Sequence, residues 1–151
     1  MSDLAINGGL PACDPAVNPN DYRASRFDQC ERAALDRVIR SGALCRTFGS
    51  EASDLEKEMC NYFSKSYAVA CSSGTASIHT ALAAAGVKPG SEVITSPITD
   101  MGTIIGIVAQ GALPVFADLD PDTFNSHPEN VLGLINELTS AVLPVHLAGL
   151  S

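Results

Sequence analysis

The heptapeptide Cys71-Ser72-Ser73-Gly74-Thr75-Ala76-Ser77 carries the residue types that can grip a phosphate. Ser73, Thr75 and Ser77 offer hydroxyls, and Gly74 lets a ligand approach the backbone closely. The β-prone run Tyr67-Ala68-Val69-Ala70 precedes it, and Ile78, Ala81, Leu82 and Ala85 follow at helical spacing. The chain therefore leaves a strand, turns on small residues and opens a helix. The first amides of a helix lack intrahelical acceptors and sit at the positive end of its dipole, so a phosphate cradle can form there. A plain strand–helix turn capped by Ser or Thr accounts for the same residues. Neither the Gly-x-x-x-x-Gly-Lys-Ser/Thr of a P-loop nor the Gly-x-Gly-x-x-Gly of a dinucleotide fold is present.

Other chemistry is thinner. Cys13, Cys30, Cys45, Cys60 and Cys71 form no Cys-x-x-Cys, and no Cys/His group has zinc spacing. Scattered, odd-numbered thiols fit a reducing cytoplasm. A nucleophilic Cys71 or Ser73 served by His79 or His146 would make a small hydrolase, but the Gly-x-Ser-x-Gly elbow is missing, and small buried thiols are commoner than catalytic ones. His127, before Pro128, reads as turn, and His79 as packing.

The elements that must position these residues follow from the pattern. At 151 residues, with 46% apolar and 17% charged side chains, the chain is globular and able to bury a core. A net charge of -8 argues against a nucleic-acid partner. No apolar run approaches the ~18 residues of a membrane span, and the N-terminus lacks a secretory pattern. Residues up to about Asn20 read as an extended arm, rich in Gly and Pro. A helix is predicted from about Arg26 to Arg40, stopped by Ser41-Gly42, and Ser53-x-x-Glu56 reads as a capping box opening a second helix with Leu55, Met59, Tyr62 and Phe63 on one face. Strand–helix alternation then sets in. Strands are expected at Tyr67–Cys71, Glu92–Ser96, Pro114–Asp118 and Ala141–His146. Helices are expected at Thr75–Ala85, at Met101–Gln110 with Met101, Ile104, Ile105 and Val108 on one face, and from about Pro128 to Glu137. Near-continuous apolar strands joined by helices predict an α/β fold, a mostly parallel sheet with helices on both faces. Ligands of such sheets lie beyond the carboxyl ends of the strands, where Ser73-Gly74-Thr75, Pro97-Ile98-Thr99-Asp100, Asp118 and His146 all fall.

Several segments recur in one order: Ser73-Gly74-Thr75-Ala76, Gly86 to Ile94, Gly111 to Asp118, Asp120 to Asn125 and Pro144-Val145-His146-Leu147-Ala148-Gly149, with Asn7-Gly8-Gly9, Ser41-Gly42 and Glu56 ahead of them. Over essentially its whole length the sequence resembles the DegT/DnrJ/EryC1/StrS family of sugar aminotransferases. The resemblance implies a fold-type I enzyme dependent on pyridoxal 5'-phosphate, with residues 1–25 as arm and 26–151 as part of the large domain. It implies amino transfer from an amino acid, glutamate or glutamine, to a keto-sugar, nucleotide-linked, or to a cyclitol. It also implies a cytoplasmic homodimer with sites at the subunit interface. Cofactor contacts are expected from Ser73, Gly74, Thr75, Thr99, Asp100 and His146.

The sequence departs from that pattern in three places. The family's Schiff-base lysine and the acid that pairs with the pyridine nitrogen lie beyond His146. The lysines here are Lys57, Lys65 and Lys88, with the first two expected on the second helix and the third in a turn. Asp118 and Asp120 match a different motif. Where the family often has Thr-Phe-x-x-Thr, this chain has Thr99-Asp100-Met101-Gly102-Thr103, so Asp100 replaces an aromatic that stacks on the cofactor. Asp100 reads as the N-cap of the following helix, with a polar contact to ligand as the alternative. His146 is divided between ligand contact and a structural role. The expectation is an N-terminal portion that supplies the phosphate cup, with no catalytic residue of its own and no activity alone. The alternative is a non-catalytic module that assembles with a full-length homologue.

Overall fold

The structure is a computed structural model. It describes residues 7–10 and 27–150, so the arm expected up to Asn20 lies, apart from residues 7–10, outside the described residues. The chain divides into two units, residues 1–68 and 69–151.

The first unit holds α1 (Gln29–Ser41) and α2 (Glu51–Tyr62). A capping box opens α1, at a place the sequence pattern did not reveal. Asp28 Oδ1 accepts from the Cys30 amide at 2.7 Å, and Glu31 Oε2 accepts from the Asp28 amide at 2.7 Å. The bond from the Cys30 amide is the main reason the Asp28 carboxyl titrates below its ordinary range. Gly42, at φ 67°, closes the helix in the left-handed region.

The capping box predicted at Ser53 and Glu56 does not form. The helix begins two residues earlier than Ser53, whose hydroxyl donates back to the Ser50 carbonyl at 2.7 Å. Glu56 instead receives the Arg46 guanidinium through two bonds of 3.1 and 2.8 Å. Two parallel bonds from a guanidinium outweigh the single amide bond that a capping box would give this carboxylate. Asp28→Ala is expected to lower the protection of the first turn of α1, and Ser53→Ala to leave that of α2 unchanged within error. Amide exchange along each helix would register both. Leu55, Met59, Tyr62 and Phe63 are all exposed, and Glu56 is the one buried residue of α2.

The second unit contains β1 (Glu92–Thr95), β2 (Leu113–Phe116) and β3 (Thr139–Leu143) in the order β2-β1-β3, both pairings parallel. Its helices are α3 (Gly74–Ala84), α4 (Met101–Ala109) and α5 (Pro128–Leu132). On one face of the sheet, Leu82 of α3 and Ile107 of α4 close over Val93, with Val87, Ala112, Ala141 and Leu143 around them. On the other, Ile94 and Val142 face Val131, Leu132 and Ile135 across an apolar cavity of about 420 Å³. The α/β reading with helices on both faces holds.

Three details differ from expectation. Residues 67–71 join no ladder among the described residues, so the predicted first strand is an extended segment; β propensity alone does not make a strand without a partner. The last predicted helix stops at Leu132. At Gly133 its bonds tighten to the three-residue kind, Leu134 to Val131 at 3.1 Å and Ile135 to Leu132 at 3.3 Å. On α4 the buried residues are Thr103, Gly106 and Ile107, while Met101, Ile105 and Val108 are exposed. The reason lies in how closely α4 approaches α3.

Candidate functional site

The site begins with two glycines. A Cβ built on Gly102 would stand 2.5 Å from Thr75 Oγ1, and one built on Gly106 would stand 2.7 Å from Ile78 Cγ2. These helices therefore touch through backbone at residues 102 and 106. The pairing of 75 with 102 and 78 with 106 also fixes direction: α3 and α4 run side by side with both N-termini at the same end. Because α4 follows β1, that end is the carboxyl edge of the sheet, where an open α/β sheet binds its ligands.

The two helix mouths differ. Ser73 is the N-cap of α3, its hydroxyl accepting from the Ala76 amide at 3.1 Å, while the Ser77 amide donates to the Ser73 carbonyl at 3.0 Å. The Gly74 and Thr75 amides have no acceptor among the described residues, and a Cβ on Gly74 would meet nothing within 4 Å. Among the described residues the mouth of α3 is thus open, with two donors unbonded and the dipole's positive end behind them. The mouth of α4 is closed by its own anion. Asp100 is the N-cap, with Oδ1 accepting from the Gly102 amide at 2.7 Å. Thr99 Oγ1 is 2.8 Å from Thr103 Oγ1, which tacks the loop to the first turn of α4. Buried Ser96 braces the same loop, its hydroxyl donating to the Ile98 carbonyl at 3.1 Å and accepting from the Ile98 amide at 3.2 Å.

Of the six predicted cofactor contacts, Ser73, Gly74, Thr75, Thr99 and Asp100 lie on these two neighbouring mouths. His146 stands beyond β3 at the same edge of the sheet, exposed, with no hydrogen bond from its side chain among the described residues. β3 ends at Leu143, so His146 sits in the loop that follows and not on the strand. That loop is held from outside, since the Leu147 amide donates to Asn125 Oδ1 at 2.9 Å.

Asp118 is exposed and lends its carbonyl to Asn130 Nδ2 at 2.9 Å. Asp120 builds a turn. Its Oδ1 accepts from the Thr123 amide at 2.8 Å, the Thr123 hydroxyl at 3.0 Å and the Asp122 amide at 3.0 Å. Those bonds, the Thr123 amide first, hold its carboxyl below the ordinary aspartate value. His127 caps α5 through Nδ1, 3.4 Å from the Glu129 amide. Lys65 lies past the end of α2, not on it as expected. Lys88 precedes β1, at the opposite end of the sheet from the helix mouths.

Gly102, Gly106, Ser96 and Asn125 position the site without having been foreseen from the sequence. The four-residue spacing of the two glycines on one helix face was the available signal; nothing local marked Ser96 or Asn125. Among the described residues no group of three or more His, Cys, Asp or Glu could hold a metal, and no helix is long and apolar enough to cross a membrane.

Comparison with known proteins gives a consistent result. The sequence model of the DegT/DnrJ/EryC1/StrS aminotransferase family matches residues 26–151. A UDP-4-amino-4-deoxy-L-arabinose–oxoglutarate aminotransferase of Shewanella sediminis is 36% identical over 145 residues, 96% of this chain and 34% of that protein. The crystal structure of an aminotransferase from Psychrobacter cryohalolentis superposes with a TM-score of 0.77 at 35% identity, covering 83% of this chain and 32% of the other. NtdA from Bacillus subtilis, solved with bound cofactor PMP, superposes with a TM-score of 0.65 at 37% identity, covering 67% of this chain and 23% of the other. The chain spans about a third of the length of the curated relatives it matches.

Proposed function

Because the chain belongs to the DegT/DnrJ/EryC1/StrS aminotransferase family, we propose that its second unit supplies the phosphate cup of a pyridoxal 5'-phosphate-dependent sugar aminotransferase. The observation that carries this reading is the open mouth of α3. The amides of Gly74 and Thr75 have no acceptor among the described residues, and a Cβ on Gly74 would meet none of them within 4 Å. Such a mouth suits a phosphate ester, so the residues present fit the cofactor's anionic end.

In this reading Gly74 and Thr75 donate their amides to the phosphate. Ser73 holds the mouth in shape by capping α3, and Thr99 and Asp100 form the adjoining wall. His146 borders the site from the loop after β3. Bound pyridoxal 5'-phosphate would supply the electron sink that amino transfer requires. The amino donor is glutamate or glutamine, and the acceptor a keto-sugar, nucleotide-linked, or a cyclitol. The complete enzyme works as a cytoplasmic homodimer; the exposed apolar residues Met101, Ile105 and Val108 of α4 support a covering partner surface.

The residues of the second unit bind the cofactor but do not turn substrate over. Catalysis in such enzymes needs a lysine to hold the cofactor and carry the proton, and the single lysine of the second unit, Lys88, is at the wrong end of the sheet. The test is a pair of measurements on the 151-residue chain. Titration is expected to show pyridoxal 5'-phosphate binding more tightly than pyridoxal. Incubation with the cofactor, glutamate and a nucleotide-linked keto-sugar is expected to give no amino transfer. Equal affinity for the two ligands would overturn the phosphate cup, and robust turnover would overturn the division of labour.

A further inference from the structure

The two adjoining helix mouths carry different charges. Ser73, which caps α3, is neutral, whereas Asp100, which caps α4, is a carboxylate. They are close neighbours. The point where a Cβ on Gly102 would stand is 2.5 Å from Thr75 Oγ1 and 2.8 Å from Asp100 Oδ1, so the carboxylate and the first turn of α3 flank the same atom position. Asp100 Oδ1 is engaged by the Gly102 amide, and Oδ2 has no partner among the described residues. The side chain is exposed at the rim, and no lysine or arginine is bonded to it among the described residues.

We propose that Asp100 is a specificity-determining residue of the α3 mouth: its carboxylate, fixed beside Thr75, sets this site against highly charged phosphate ligands. The inference rests on the phosphate-cup reading above and adds to it a cost specific to this chain. Like charges a few ångströms apart at a solvated rim repel by about 1 kcal/mol, a factor of about five in affinity. The neutral part of a ligand feels no such penalty, so the residue tunes affinity by ligand charge and not by ligand shape.

The test is Asp100→Asn, with Asp100→Ser as a second variant; both replacements are good N-caps, so α4 keeps its start. Pyridoxal 5'-phosphate, inorganic phosphate and pyridoxal are each titrated against the unaltered chain and both variants, and thermal unfolding checks the fold. The expected result is about a five-fold gain for the two phosphate ligands, no gain for pyridoxal, and a gain that shrinks toward nothing in about 1 M salt, where exposed charges are screened. No gain, or an equal gain for pyridoxal, overturns the role of Asp100 while leaving the phosphate cup standing. Failure of the unaltered chain and both variants to bind either phosphate ligand overturns the cup and the inference together.

Discussion

Gly106→Val is expected to destabilise the second unit by on the order of 3 kcal/mol, although valine is the better helix former of the two. A residue replacing glycine inside a helix ordinarily gains stability, because the unfolded chain loses freedom. Here the new Cβ would stand 2.7 Å from Ile78 Cγ2 and 3.0 Å from Ile78 Cβ. Ile78 is β-branched and stiff at χ1, so it cannot swing aside. The helices must part, and Ile107 and Leu82, packed beneath them, lose contact with Val93. Gly133→Ala is the control. Its nearest neighbour would be the Glu129 carbonyl at 3.5 Å, an ordinary contact, so its expected effect is within about 0.5 kcal/mol. Thermal unfolding of the two variants measures the difference; equal stability would show that the α4 backbone at Gly106 does not rest against Ile78 of α3.

Gly74→Pro is expected to weaken binding of pyridoxal 5'-phosphate by about ten-fold to a hundred-fold while leaving the fold intact. Residue 74 is the first residue of α3, the helical position where proline is best tolerated. Ser73 already has the extended backbone that a following proline demands, at φ -163° and ψ 166°. The Cβ of a residue there would meet none of the described residues within 4 Å. The substitution thus removes one amide and little else. A hydrogen bond to a charged group contributes roughly 1.5–3 kcal/mol, which sets the expected loss. Pyridoxal, lacking the phosphate, should bind both forms alike. Unchanged affinity for the phosphate form, in a variant that melts no lower than the original, would remove the Gly74 amide from the proposed site.

Much of the second unit was legible in the residues themselves. Near-continuous apolar runs and apolar residues at helical spacing located β1, β2, β3, α3 and α4 to within a few residues. The Asp100 cap and the Gly42 stop were readable because a helix end is satisfied by residues next to it in the chain. The Ser73 cap of α3 was readable for the same reason, since Ser73, Gly74 and Thr75 are consecutive. Choices between competing partners were harder. Glu56 could have reached back to cap α2, but Arg46 offered two charged bonds. Residues 67–71 had strand propensity, but pairing is a property of two segments.

From its sequence alone, this chain's family, its α/β class and the helix start at Ser73-Gly74-Thr75 were determined, because each is carried by neighbouring residues in a fixed order. Tertiary structure alone decided which face of α4 is buried, that α3 and α4 open side by side, and that Asp100 therefore adjoins Thr75. The physical reason is that those facts depend on how closely two backbones approach. Gly102 and Gly106 set that distance by lacking a side chain, so hydrophobic periodicity, which registers side chains, pointed instead to Met101, Ile105 and Val108.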